Sequence, residues 1–192
     1  MGEAARKLER NFTYKDYLGW DDDKRYELIV GKVYLMVPAP NVPHQSALRE
    51  LFGIFFAYFK NRECEIFVAP TDVVLLEKGE KTEDAKNVVQ PDIFVVCDKE
   101  KIAEQAIVGA PDLAVEIISP NTAIKDKREK FALYEKHGVK EYWLVHPEEK
   151  TLTVFRLENS RYGRPEIFAE EDIYECALFP DLKVDVSQIF KR

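Results

Sequence analysis

Three short apolar runs, at 93–96, 113–118 and 142–145, the second broken only by Glu116, constrain this chain more than any other feature. Each is only four to six residues long and rich in Val, Ile and aromatic side chains. A strand with one face in water alternates apolar and polar residues; an unbroken run is the mark of a strand covered on both faces. Such strands need helices on either side of their sheet to supply the cover. Two segments can do this. At 44–59, Leu48, Leu51, Phe52, Phe55 and Phe59 recur every three or four residues and form one apolar stripe. The segment 123–137 is amphipathic and stops at Gly138, the residue type favoured just past a helix end. The fold class that follows is α/β, with a central mixed β-sheet flanked by helices. The 192 residues contain no repeat and no Gly/Ser linker, so the expectation is one domain over 1–192.

The remaining elements follow from local signals. Thr13 can cap a short helix over 13–20, and Asp21-Asp22-Asp23 makes a charged turn. Segments 26–30 and 32–37 flank Gly31 as a hairpin, which Pro38, Pro40 and Pro43 bring to an end. Strands are expected at 64–68 and 72–76, an exposed loop at 79–87 and a short helix within 99–107. Ser119-Pro120-Asn121-Thr122 reads as a turn leading into a helix cap. A half-exposed strand at 151–157 and strand signals near Ile167, Tyr174 and Val184 complete the chain.

Composition excludes several classes. No apolar run approaches the ~20 residues that span a bilayer, and residues 1–11 are polar and charged, unlike a signal peptide. The expectation is a cytoplasmic protein with no membrane partner. Cys64, Cys97 and Cys176 are odd in number and widely spaced, which predicts reduced thiols rather than a disulfide or a zinc site. The formal net charge of −7 argues against a protein that coats nucleic acid by charge alone. It does not exclude a nuclease, whose metal-binding acids lower the net charge.

Glu116 is the most informative residue, because it interrupts the run Leu113-Ala114-Val115-Glu116-Ile117-Ile118. A lone carboxylate inside a buried strand costs several kcal/mol unless it is paired, hydrogen-bonded or metal-bound. The plain alternative is a strand-end carboxylate facing water. Asp92 follows Pro91 at the start of the 93–96 run, so each of the two strands carries one acid. If the strands are neighbours the carboxylates converge, and two hard oxygen ligands suit Mg²⁺ or Mn²⁺. Asp126, Lys130 and Tyr134 fall at i, i+4, i+8 on one helix face. Lys130 is then either a surface partner of Asp126, worth about 0.3–0.5 kcal/mol, or an ammonium laid beside the acids. In the second case it can orient an attacking water and offset charge growing on a phosphate.

Together these residues resemble the PD-(D/E)xK nuclease superfamily. More narrowly, the chain is similar to a family of small bacterial proteins described as "putative restriction endonucleases". The resemblance rests on an ordered set: Tyr26-Glu27-Leu28-Ile29-Val30-Gly31; His44; Gln90-Pro91-Asp92-Ile93; Pro111 to Pro120 around Glu116; Asp126 with Lys130 and Tyr134; and Gly138-Val139-Lys140-Glu141-Tyr142-Trp143-Leu144-Val145. It implies a restriction-endonuclease-like fold and metal-dependent hydrolysis of DNA phosphodiesters. Asp92 and Glu116 would ligate Mg²⁺ or Mn²⁺, and Glu27 would be a further acid at the site. The superfamily's usual Lys two residues after the Glu is replaced here by Ile118, and the resemblance offers Lys130 in its stead. His44 would contact phosphate or cap its helix, and Gln90 would reach a water on the metal. His137 and His146 end a helix and a strand and carry no assigned role.

Three functions are compatible with this pattern: an endonuclease cutting DNA, most simply as a homodimer; a non-catalytic binding or assembly module of the same fold; and a metal-dependent hydrolase of small phosphate esters. A nuclease predicts basic residues such as Lys125, Lys127 and Arg128 near the acids. A small-ester hydrolase predicts a closed pocket around them. A binding module predicts acids locked in ion pairs.

Overall fold

The computed structural model describes residues 11–36, 41–119 and 123–191. Helix α1 (Tyr14–Leu18) is capped by Thr13 in a capping box with Asp16. Strands β1 (Tyr26–Ile29) and β2 (Lys32–Leu35) form the expected hairpin. Its two central residues, Val30 and Gly31, both have positive φ (52° and 71°), as a two-residue type I′ turn requires. Val is a poor residue for that conformation. The turn is tied down by Asn87, whose Oδ1 accepts from Val30 N at 2.8 Å, and by Lys86, whose carbonyl accepts from Gly31 N at 2.8 Å. Pro38 and Pro40 lie outside the described residues. Pro43 sits in the first turn of helix α2 (Val42–Phe59), where its missing N–H costs nothing.

Strands β3 (Glu65–Val68), β4 (Val73–Val74), β5 (Val88–Val89), β6 (Ile93–Val96), β7 (Ile107–Val108) and β8 (Leu113–Ile117) follow. The segment expected as a helix within 99–107 is only a 3-10 turn, Lys99–Lys101, before β7 pairs in parallel with β4. The loop at 79–87 is not wholly exposed: Ala85 and Asn87 are buried, because the Ala85 carbonyl accepts from Tyr14 N and Asn87 holds the hairpin. Pro120 to Thr122, the expected turn and cap, lie outside the described residues. The helix predicted at 123–137 is not continuous: after α-helical Ala123 and Ile124, Lys125–Lys130 is a π-turn, and the α-helix resumes as α3 (Phe131–His137). Gly138 ends α3 with φ +84°, as expected. Strands β9 (Glu141–His146), β10 (Thr151–Glu158), β11 (Arg161–Tyr162), β12 (Glu166–Phe168), β13 (Ile173–Glu175) and β14 (Lys183–Asp185) lead into helix α4 (Val186–Ile189).

Among the described residues the strands form a seven-stranded mixed sheet, ordered β11-β10-β9-β8-β6-β3 with β12 beside β10, a five-stranded one, ordered β2-β1-β5-β4-β7, and a two-stranded one of β13 and β14. Alternation splits the large sheet into two cores. One face sends Ile93, Val95, Val115, Trp143 and Val145 against Leu51, Phe55 and Phe59 of α2 and Ile189 of α4. The other sends Phe94, Val96, Ala114, Tyr142 and Leu144 against Leu133 and Tyr134 of α3 and against Ile29, Val73 and Val89 of the small sheet. The continuous apolar runs are therefore strands covered on both faces, as their sequence requires.

The cysteine expectation also fails. Cys64 and Cys97 are joined as a disulfide, with only Cys176 free and buried. They are distant in sequence, but the antiparallel register Glu65↔Val96 of β3 and β6 makes them facing neighbours. Spacing along the chain cannot report a pairing made across a sheet.

Candidate active site

The register of β6 on β8 decides whether the two acids meet. Ile93 pairs with Val115 and Phe94 with Ala114, so Asp92, one residue before Ile93, stands opposite Glu116. Directly opposed residues share a face. Phe94 and Ala114 point toward α3 and the small sheet, and by alternation Asp92 and Glu116 do the same. The small sheet brings Glu27, on β1, to this face as well.

Lys130 sits between the acids. Its Nζ is 2.7 Å from Glu116 Oε1, 2.8 Å from Glu27 Oε1 and 3.8 Å from Asp126 Oδ1, and its side chain is only 2% exposed. The surface-pair alternative therefore fails: the pairing to Asp126 is the weakest of three. The Tyr134 hydroxyl donates to Glu116 Oε1 at 2.8 Å, completing the stripe read from the sequence. Asp126 is held on the same buried segment, and its backbone carbonyl accepts from the Tyr142 hydroxyl at 3.0 Å.

Each presumed ligand is anchored through one oxygen. Asp92 Oδ2 accepts from the backbone N of Ile117 at 2.7 Å and lies 3.2 Å from His44 Nε2. Glu116 Oε1 takes Lys130 and Tyr134. Among the described residues no partner is recorded for Asp92 Oδ1 or Glu116 Oε2. These are the two oxygens a cation can take, and they fit a hard ion that uses few carboxylates and fills its shell with water and substrate oxygens. No three His, Cys, Asp or Glu side chains among the described residues converge to enclose an ion on their own. The local charge also fits: Glu27, Asp92, Glu116 and Asp126 face Lys125 and Lys130, a formal excess of two negative charges.

Burial and charge pull the two glutamates apart. Burial raises the Glu27 pKa, but the ammonium groups of Lys130 and Lys125 outweigh it and hold the carboxyl at about 2. Burial also dominates at Glu116, where Lys130 pulls down but Asp126, Asp92 and Glu27 push up, so its pKa lies well above the ordinary range. Burial works against the charge of Lys130, yet Glu116, Glu27 and Asp126 keep it firmly protonated.

The supporting residues fall differently from expectation. His44 is not the helix cap: Asn41 caps α2, its side chain accepting from His44 N at 3.0 Å, and the His44 ring turns to Asp92. Gln90 anchors rather than extends. Its backbone N donates to Glu27 Oε1 at 3.0 Å, and its Nε2 donates to Asp72 Oδ1 at 2.8 Å, where the Tyr17 hydroxyl also donates at 2.9 Å. Gln90 Oε1 is buried without a partner. Sequence reasoning missed Asp72 and Tyr17, which lie far from the motif, and placed Lys125 in a basic surface on the side of the acids rather than within their cluster. Lys125 in fact pairs with Glu27. The π-turn explains this: i→i+5 closure stacks Lys125 nearly over Lys130, whereas residues five apart on an α-helix diverge by about 140°. A further buried acid, Glu141, lies at the start of β9 and is satisfied by Trp143 Nε1 (2.8 Å), the Tyr174 hydroxyl (3.0 Å) and Leu178 N (3.0 Å), all neutral donors. That arrangement is a core anchor, unlike the cation-laced cluster at Glu116.

Comparison with known proteins bears on the family and the fold. A family model described as "Putative restriction endonuclease" matches residues 14–187. A crystallised putative nuclease of Anabaena variabilis superposes with a TM-score of 0.72 over 93% of this chain and 97% of its own, at 22% identity. The shared fold is restriction-endonuclease-like. An uncharacterised protein of Synechocystis is 25% identical over 133 residues, covering 68% of this chain and 66%, just under two thirds, of its own length.

Proposed function

The chain belongs to the Uma2 family of putative restriction endonucleases, and on that premise we propose that it is a divalent-metal-dependent nuclease that hydrolyses DNA phosphodiester bonds within a single domain. The observation that carries this reading is the register of β6 on β8, which sets Asp92 opposite Glu116 on one face, each acid being anchored through one oxygen. Asp92 Oδ1 and Glu116 Oε2 would hold Mg²⁺ or Mn²⁺. Such an ion supplies Lewis acidity at the phosphate and a lower pKa for the attacking water. The protein's own groups supply position. The Ile117 amide and His44 fix Asp92; Lys130 and Tyr134 fix Glu116; Glu27 keeps Lys130 charged and in place. Exposed Lys127 and Arg128 on the π-turn are suited to backbone phosphates despite the acidic whole. Two copies related by a two-fold axis would cut both strands.

The test is plasmid cleavage with Mg²⁺ or Mn²⁺, comparing the wild type with Asp92→Ala and Glu116→Ala. Cleavage that needs the metal and is lost in both variants is expected. Cleavage untouched by either substitution rejects the site.

One observation favours the non-catalytic module: Glu116 is already ion-paired to Lys130. That reading predicts no Mg²⁺- or Mn²⁺-induced rise in melting temperature.

A further inference from the structure

We propose that Lys125, rather than Lys130, is the lysine that meets the DNA phosphate at this site; the inference rests on the nuclease reading above. Both lysines bind Glu27, but their surroundings differ. Lys130 is enclosed, 2% exposed, and bridges Glu27 and Glu116 at 2.8 and 2.7 Å. To reach a substrate it must abandon two buried carboxylates at once, leaving Glu116 without a counter-charge. Lys125 has a 15% exposed side chain and one acidic partner, Glu27. When Lys125 swings away, Glu27 keeps Lys130 Nζ and the Gln90 amide (3.0 Å) on Oε1, so the buried acid retains a counter-charge and only Oε2 gives up its partner.

The backbone supports this division of labour. The π-turn Lys125–Lys130 puts both ammonium groups on the Glu27 side of one helical segment, with Lys130 at its inner end and Lys125 at its outer end. Lys125 lies beside exposed Ile124 and only a short connection beyond the end of β8, the strand that carries Glu116. An ammonium there pairs with Glu27, which shares Lys130 with Glu116, and is partly exposed to solvent. Glu27 acts as its rest position, holding the ammonium in reach until a phosphate oxygen replaces the carboxylate. Lys130 is then a positioning residue that fixes Glu116.

Binding of a fluorescein-labelled DNA duplex with Ca²⁺ in place of Mg²⁺ tests this without cleavage, titrated across about 50–200 mM salt. Lys125→Gln is expected to weaken binding and to reduce the slope of log K against log[salt] by about 0.9, the loss of one phosphate contact. Lys125→Arg should keep the wild-type slope. Lys60→Gln, at the far end of α2 from His44, serves as an exposed control that should change neither. Should Lys125→Gln fail to fold, Lys125→Gln with Glu27→Gln removes the pair together and carries the same expected slope change. A wild type that cuts plasmid while Lys125→Gln binds with an unaltered slope overturns the role of Lys125 and leaves the nuclease reading standing. A wild type that neither binds nor cuts DNA overturns both.

Discussion

Lys130→Met separates a buried structural ion pair from a surface one. Were Lys130 a solvated partner of Asp126, its loss would cost about 0.3–0.5 kcal/mol. The structure instead places its Nζ 2.7 Å from Glu116 and 2.8 Å from Glu27, out of water. Deleting one member of a buried pair costs about 3–5 kcal/mol, because the partner keeps its desolvation penalty. The burden is unequal. Glu27 retains Lys125 and the Gln90 amide, while Glu116 retains only the Tyr134 hydroxyl. For a chain of this size the melting temperature should fall on the order of 10 °C. Glu116 can relieve part of the cost by taking up a proton, since burial already pushes its pKa upward, so the deficit should shrink as the pH is lowered. Adding Glu116→Gln to Lys130→Met removes the stranded charge and should restore about 1–3 kcal/mol in a double-mutant cycle. Urea denaturation of the four proteins at neutral pH measures all terms. A loss under about 1 kcal/mol, or strict additivity of the two substitutions, would refute the buried bridge and with it the account of how Glu116 is held.

Three further outcomes are expected. Glu27 has its pKa lowered from 4.5 to about 2, so its contribution is complete above 4.5 and disappears as the pH falls through 2. The stability gap between wild type and Glu27→Gln should narrow by about 3 kcal/mol across that window, and a gap independent of pH contradicts the two-lysine cage. Opening the Cys64–Cys97 bridge, which closes a separation of 33 residues, should cost about 2–4 kcal/mol; equal melting temperatures for the wild type and Cys64→Ala with Cys97→Ala would show the link to be unimportant. Glu141→Ala strands Trp143 Nε1, the Tyr174 hydroxyl and Leu178 N in the core and should destabilise by about 3 kcal/mol. Metal-dependent cleavage measured on its folded fraction should match the wild type, and selective loss of activity there would mean the site extends through the sheet.

What the sequence by itself determined is the content of each element. The apolar runs at 93–96, 113–118 and 142–145 had to be strands covered on both faces, Thr13 and Gly138 had to mark helix ends, and a glutamate at 116 had to find partners, because periodicity, capping and the cost of burying charge act within a few residues. The stripe Asp126, Lys130, Tyr134 was legible for the same reason. Tertiary structure alone decided who those partners are. Asp92 faces Glu116 because β6 pairs with β8 in one register of many, and a shift by one residue would have put them on opposite faces. Glu27 arrives from the other sheet, and Cys64 meets Cys97 across β3 and β6. Lys125 joins the cluster only because the chain widens into a π-turn, which α-helical spacing does not anticipate. These contacts are set by strand register and by the packing of the two sheets with the segment that carries Lys125 and Lys130, and no local pattern encodes them.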